Sequence, residues 1–168
     1  TPEGTLFPYT TLFRSVLKGY NTIKESIEDA EIAKFVTDAM KESGEVLIKR
    51  YDFDREKHYA YIEKILKRFK NPYLKDEVQR VGRQPLRKLS FNERLIKPLR
   101  GTEEYGTAND NLIYGIAAAM KYTNLEDDEA KSLQEKLASK DVKDVVKEIT
   151  LLESEELIAK IIKKYSEI

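Results

Sequence analysis

From residue 22 onward the apolar positions recur at helical spacing. Ile32, Val36, Met40, Leu47 and Tyr51 fall about four or seven apart, with Phe35 and Ala39 beside them, which predicts one face of a long helix. A corner near Asp29 separates it from a short helix carrying Ile23 and Ile27. Asp54 is a suitable N-cap for a further helix with Tyr59, Ile62, Leu66 and Phe69 on its apolar face. Asn71-Pro72 ends that helix, because proline disfavours α geometry in the residue before it. A shorter helix is expected from about Tyr73 to Val81. The stretch GRQPLRKLS, with Gly82 and Pro85, reads as a loop or broken helix. Pro98 and Gly101 punctuate the chain again. Asn109 or Asp110 then caps LIYGIAAAM, a run so apolar that it must be buried on most sides. Two or three amphipathic helices finish the chain. The last, capped by Ser154, presents Leu157, Ile158, Ile161, Ile162 and Tyr165. No stretch alternates as a half-buried strand should and no internal repeat is visible, so the expected fold class is all-α.

Composition narrows the function classes. At 168 residues the chain is long enough to bury a sizeable core, and its 30 basic and 30 acidic side chains cancel, so net charge names no partner. The absence of cysteine rules out a disulfide framework, and one histidine with no cysteine argues against zinc. No apolar run approaches a membrane span. The chain opens without the basic start and apolar stretch of a signal peptide. These features predict a soluble, cytoplasmic-type domain with no membrane partner.

The charges are unevenly placed. From Glu63 to Arg100 there are twelve Lys or Arg against four Asp or Glu, whereas from Thr123 to the end there are eight against twelve. Within the basic stretch, DEVQRVGRQPLRKLS sets Arg80 and Arg83 three apart, and Arg87 and Lys88 follow on a segment that Pro85 stiffens. Four cations converging on one side of a kinked segment would make an anion site, and the arginine fork suits phosphate. They could instead be solvated surface charges, as most charge runs are, or pair with Asp76 or Glu77. Asn71 and Asp76 read as structural, the one a turn residue and the other a helix or ion-pair partner. His58 reads as a helix-surface or interhelix residue, and the tyrosines at 51, 59, 61 and 73 as core and rim.

The segment YDFDREKHYAYIEKILKRFKNPYLKDEVQRVGRQPLRKLS, followed by RLIKPL, EYG and LIYGIAAAM, closely resembles the C-terminal domain of the polyol-specific long-chain dehydrogenases. This is the mannitol dehydrogenase family, and the likeness is to its mannitol-1-phosphate 5-dehydrogenase branch. It is dense from Val16 to about Tyr122 and thins over the last helices. It implies a helical C-terminal domain packed on an N-terminal Rossmann domain. It further implies NAD-dependent, metal-free interconversion of mannitol 1-phosphate and fructose 6-phosphate. By the same likeness Arg80, Arg83 and Lys88 are candidates for contacting substrate hydroxyls or phosphate, and Arg87 is a further phosphate candidate. The family's catalytic lysine, asparagine and histidine would lie just upstream of Val16, where this chain has TPEGTLFPYTTLFRS. The seven glycines form no G-x-G-x-x-G, so the Rossmann half and its NAD site are expected to be absent and this chain by itself inactive.

The stretch TLFPYTTLFRS, residues 5–15, is unlike the rest of the chain. It resembles one translated reading frame of a common short-read sequencing adapter. The expectation is a non-native leader over 1–15, disordered or loosely packed, with the domain running from 16 to 168. Two readings outside the enzyme class remain open: a stand-alone helical anion-binding module on the 63–100 stretch, and a helical interaction domain with an exposed apolar face. Nucleic acid is not an expected partner, since net charge is zero and the motifs of the common readers are absent.

Overall fold

In the computed structural model, residues 13–73 and 76–168 are described. After a helical turn over 13–17 come α1 (Ile23–Glu28), α2 (Ala30–Tyr51), α3 (Arg55–Phe69), α4 (Val78–Val81), α5 (Pro85–Lys88) and α6 (Ile96–Tyr105). They are followed by α7 (Asp110–Met120), α8 (Asp128–Ser139), α9 (Val142–Thr150) and α10 (Glu155–Glu167). The only strand-like pairing among the described residues is a single antiparallel bridge between Thr22 and Glu77. The all-α expectation holds.

Asp54 and Ser154 cap the helices expected of them, and Thr22 and Asp29 set the corner before them. Thr22 and Glu25 make a reciprocal capping box on α1. Asp29 accepts from the N–H groups of Glu31 and Ile32, so one residue ends α1 and starts α2. Asp54 accepts from Lys57 N–H at 3.0 Å and Ser154 from Leu157 N–H at 3.3 Å.

Five expectations need correction, the cap of α7 among them. The helix foreseen over 73–81 is helical only as α4: Tyr73 lies in an exposed turn, Asp76 O and Val78 N–H make the bridge that sets Glu77 opposite Thr22, and residues 74 and 75 fall outside the described set. Pro98 and Gly101 do not interrupt the chain but lie inside α6. Pro98 sits in the first turn, where a missing N–H costs nothing, and Gly101 is where α6 meets α2, because a Cβ there would run into Val46 Cγ1. The apolar face of α2 holds for Ile32, Phe35, Val36, Ala39 and Met40. Beyond Met40 the helix buries Val46 and Ile48, and Tyr51 stands half exposed. Finally, loose packing over 1–15 does not hold for the last three residues. Phe13 and Ser15 are buried, and the Arg14 guanidinium lies between the rings of Phe35 and Tyr114 at 4.6 and 4.4 Å while pairing with Glu31. Residues 1–12 lie outside the described residues.

Among the described residues two apolar clusters hold the fold. The larger gathers α7, α8, α9 and α10 with Leu89, Leu95, Ile96, Leu99 and Phe13; the smaller gathers Ile23, Ile27, Ile32, Phe35, Val36, Ile62 and Val78 from the N-terminal helices. Helix α7 runs through the larger one with Leu112, Ile116 and Ala117–Met120 fully buried, as its composition demands. The cap of α7 comes from elsewhere in the chain. Asn109 makes no side-chain cap; the buried carboxylate of Glu42 on α2 accepts from Asn111 N–H (3.0 Å), Asn111 Nδ2 (2.8 Å) and Leu112 N–H (2.9 Å). Burial pushes the Glu42 carboxyl up, against the downward pull of those donors.

Candidate functional site

The segment Glu77–Leu89 carries the four candidate cations and holds only two single-turn helices. Helices α4 and α5 have four residues each, too short to form alone. Position therefore comes from contacts. On the N-terminal side Val78 N–H donates to Asn21 O at 2.9 Å and Ile23 N–H to Asp76 O at 3.1 Å, anchoring the segment to the start of α1. In the middle Gly82 lies against Tyr122: a Cβ at position 82 would meet the ring at 3.1 to 3.3 Å. Tyr122 itself is buried, packs edge-on against Phe13 with centroids 5.4 Å apart, and donates its hydroxyl to Gln79 O at 3.3 Å.

Beside this segment opens a cleft of about 680 Å³, lined by Glu77, Gln79, Arg80, Arg83 and Gln84 on one wall and by Asn124 and Glu126–Glu129 on the other. The structure brings together Arg80 and Arg83 as lining residues. Arg80 stands exposed and pairs with Asp76 one helical turn before it, a surface pair of small worth that a ligand can displace. Arg83 is likewise exposed.

The other two candidates do not join them. Arg87 is exposed outside the lining set, and its backbone N–H donates to Glu129 Oε2 at 3.1 Å. Lys88 is 6% exposed and turns inward: its ammonium donates to Val81 O at 2.5 Å and to Arg83 O, with the Phe13 ring 6.0 Å away. Burial, aided by the like charge of Arg94, brings its pKa down to about 8. The convergence of four cations expected from spacing is thus two cations in the cleft, one beneath the loop and one outside.

The opposite wall is acidic. Glu126, Asp127, Asp128 and Glu129 there, with Glu77 on the near wall, place five carboxylates around the two arginines. Such a rim repels a bare polyanion and accepts hydrogen bonds from hydroxyl groups, while the arginines can donate to an anionic end. Asp127 is the buried member. Its Oδ1 accepts from Glu129 and Ala130 N–H at the start of α8, and its Oδ2 from Gln84 N–H at 2.8 Å. Sequence reading missed Asp127, Tyr122, Asn124 and Gln84. The run LEDDEA before an amphipathic helix signals a cap, but nothing in it says that the cap also reaches a loop 43 positions upstream.

The residues expected to be structural are so. Asn71 Oδ1 accepts from Tyr73 N–H at 3.0 Å, closing a turn, and Asp76 pairs with Arg80. His58 lies between the rings of Phe53 and Tyr61 and against Gly44, away from the cleft lining, and burial lowers its pKa. The rim reading of the tyrosines holds for Tyr51, Tyr61 and Tyr73, which are exposed, whereas Tyr59 is partly buried and donates to Glu45. No group of His, Cys, Asp and Glu able to hold a metal occurs among the described residues, and no helix there is long and apolar enough to cross a membrane.

Comparison with known proteins bears on the whole chain. The family described as "Mannitol dehydrogenase C-terminal domain" matches residues 10–168. Among solved structures, a D-sorbitol dehydrogenase in substrate-free form superposes with a TM-score of 0.74 at 17% identity, over 96% of this chain and 36% of that one. The Pseudomonas fluorescens mannitol 2-dehydrogenase, in a ternary complex with NAD and D-mannitol, gives 0.68 at 18% identity, over 98% of this chain and 36% of that one. The chain therefore spans little more than a third of either enzyme, and at these identities the likeness shows a shared fold. With nearly its full length matched, the chain belongs to the mannitol dehydrogenase C-terminal domain family.

Proposed function

We propose that this domain is the polyol-binding part of a cytoplasmic NAD-dependent dehydrogenase that interconverts mannitol 1-phosphate and fructose 6-phosphate. The observation that carries the reading is the pairing of Arg80 and Arg83 on one wall of an open cleft whose other wall is rich in carboxylates. A polyol phosphate has the matching polarity: an anionic end for the arginine forks and a row of hydroxyls for the acidic rim. The relatives named in the structural comparison act on polyols, which supports the coarse substrate class, while the choice of a phosphate rests on the two arginines. In this reading Lys88 serves from below, holding the backbone that presents Arg83, and Arg87 lies outside the contact set.

The described residues do not fit NAD. A dinucleotide seat needs a strand, a glycine-rich turn and a helix start, and the seven glycines supply no such turn. In this proposal the nicotinamide, the general base and their supporting nucleotide fold belong to a partner domain, and the chain by itself reduces no fructose 6-phosphate with NADH. The same acidic rim speaks against the anion-binding module considered from sequence, since it would oppose an anion without hydroxyls.

The test is calorimetric titration of the chain with mannitol 1-phosphate, with mannitol and with inorganic phosphate. The proposal expects binding in the order mannitol 1-phosphate, then either half-ligand, and a loss of about tenfold for Arg83→Ala with the phosphorylated ligand. Equal binding of phosphate and mannitol 1-phosphate, or indifference to Arg80→Ala and Arg83→Ala together, overturns it.

A further inference from the structure

Among the described residues three non-glycine positions have left-handed backbones: Asp52 (φ 55°), Gln84 (φ 61°) and Leu151 (φ 55°). Asp52 and Leu151 are the residues that close α2 and α9, where the left-handed state satisfies the last carbonyls of a helix. Gln84 has no such reason. It precedes a helix rather than ending one, caps nothing with its side chain, and stands directly before Pro85, a position pushed toward extended backbone. A residue with a Cβ persists there only when its surroundings over-determine it.

Those surroundings are charged and buried. The Lys88 ammonium gathers the carbonyls of Val81 and Arg83 from beneath, so the turn before Gln84 is held from the inside. Asp127 takes the Gln84 N–H at 2.8 Å with one carboxylate oxygen while its other oxygen caps α8. The Tyr122 side chain closes on Gly82, where a Cβ would be crowded at 3.1 to 3.3 Å. Asp127, at Gln84 N–H, and Glu129, at Arg87 N–H, join the segment of Arg83 to the wall of Glu126–Glu129, and of the two only Asp127 holds the left-handed residue.

We propose that Asp127 is a positioning residue: by clamping the left-handed Gln84 it aims Arg83 into the cleft and fixes the spacing of the two walls. The inference rests on the proposed function for its ligand, but the clamp can be read without one. Asp127→Ser separates the two tasks of the carboxylate, since serine caps a helix as well as aspartate does but cannot also reach Gln84.

The experiment measures amide hydrogen exchange at Gln84 by NMR, the thermal midpoint, and the dissociation constant for mannitol 1-phosphate. It compares wild type, Asp127→Ser, Gln84→Gly and the double variant. In Asp127→Ser the midpoint stays near wild type, while exchange at Gln84 rises roughly ten- to hundredfold, as expected for a lost charge-assisted hydrogen bond, and affinity falls about fivefold or more. Adding Gln84→Gly, which makes the left-handed turn free of strain, restores the affinity of Asp127→Ser; a merely structural role would not give that rescue. Unchanged exchange at Gln84 in Asp127→Ser overturns the clamp by itself. Wild-type affinity in Arg83→Ala overturns the substrate reading and the clamp's purpose with it, whatever the exchange shows.

Discussion

Helix α7 and the segment from Val78 to Lys88 are each eleven residues long, and the chain holds them by different means. Helix α7 is surrounded: Leu112, Ile116 and Ala117–Met120 have no exposed surface, and its neighbours α2 and α10 press on it from two sides. The other segment is two helical turns joined by a strained residue, kept in place by Lys88, Asp127, Tyr122 and the Thr22 bridge. Burial is non-directional and gives a robust scaffold. Hydrogen bonds are directional and can hold an arginine at a chosen angle, at little gain in stability. Stability and binding should therefore be separable by mutation in this domain.

The strongest challenge to that separation is Ile116→Ala. A fully buried side chain in α7 should cost about 2–5 kcal/mol in urea unfolding, through lost transfer free energy and the cavity left behind. Next comes Glu42→Ala, expected to cost about 2–3 kcal/mol, because it strips the cap from α7 and leaves the N–H groups of Asn111 and Leu112 without their acceptor. A larger cost for Glu42→Ala than for Ile116→Ala would show that even the scaffold hangs on a directional contact.

A pH series on Glu45→Gln sharpens the point. Arg55, 2.7 Å away, and the Tyr59 hydroxyl hold the Glu45 carboxyl down at about 2 in the fold, below its ordinary 4.5. A depressed carboxylate contributes stability that is present in full above 4.5 and lost as pH falls toward 2. Wild type should then exceed the variant by about 1 kcal/mol at neutral pH, discounted for the exposure of Arg55, with the gap closing between pH 4.5 and 2. The smallest effect belongs to the cleft. Arg80→Ala should move stability by no more than about 0.5 kcal/mol, as exposed pairs do, while weakening mannitol 1-phosphate. A larger loss of stability there would mean that the cleft wall is scaffold after all.

The same contrast explains what could be read in the sequence. Helices α1 to α3 and α7 to α10 announce themselves, since each buries a stripe or a whole surface and carries its own cap at Thr22, Asp29, Asp54, Asp127, Asp141 or Ser154, α7 excepted. Where a feature depends on a distant partner, local pattern misleads. Pro98 and Gly101 look like breakers until α2 is beside them, and Asn109 looks like the cap of α7 although Glu42 does the capping. The cleft was legible only as a run of cations. Spacing placed Arg80, Arg83, Arg87 and Lys88 together, but the left-handed turn at Gln84, held by Asp127 far along the chain, and the depth of Lys88, held by the carbonyls of Val81 and Arg83 beside Phe13, decide which of them reach the open space.

The bridge between Thr22 and Glu77 also sets an order of events during folding. Four-residue helices do not nucleate by themselves, so α4 and α5 take shape only once the start of α1, Tyr122 and the cap of α8 are already there to receive them. Joining residue 22 to residue 77 closes a long loop, whose entropy is lost before the contact returns anything. The cleft is accordingly expected among the last parts of the chain to form and the first to open on warming, which amide exchange at Val81 and Gln84, faster than in α7, would show. A nascent domain can thus be compact and fully helical elsewhere before it can bind anything at all.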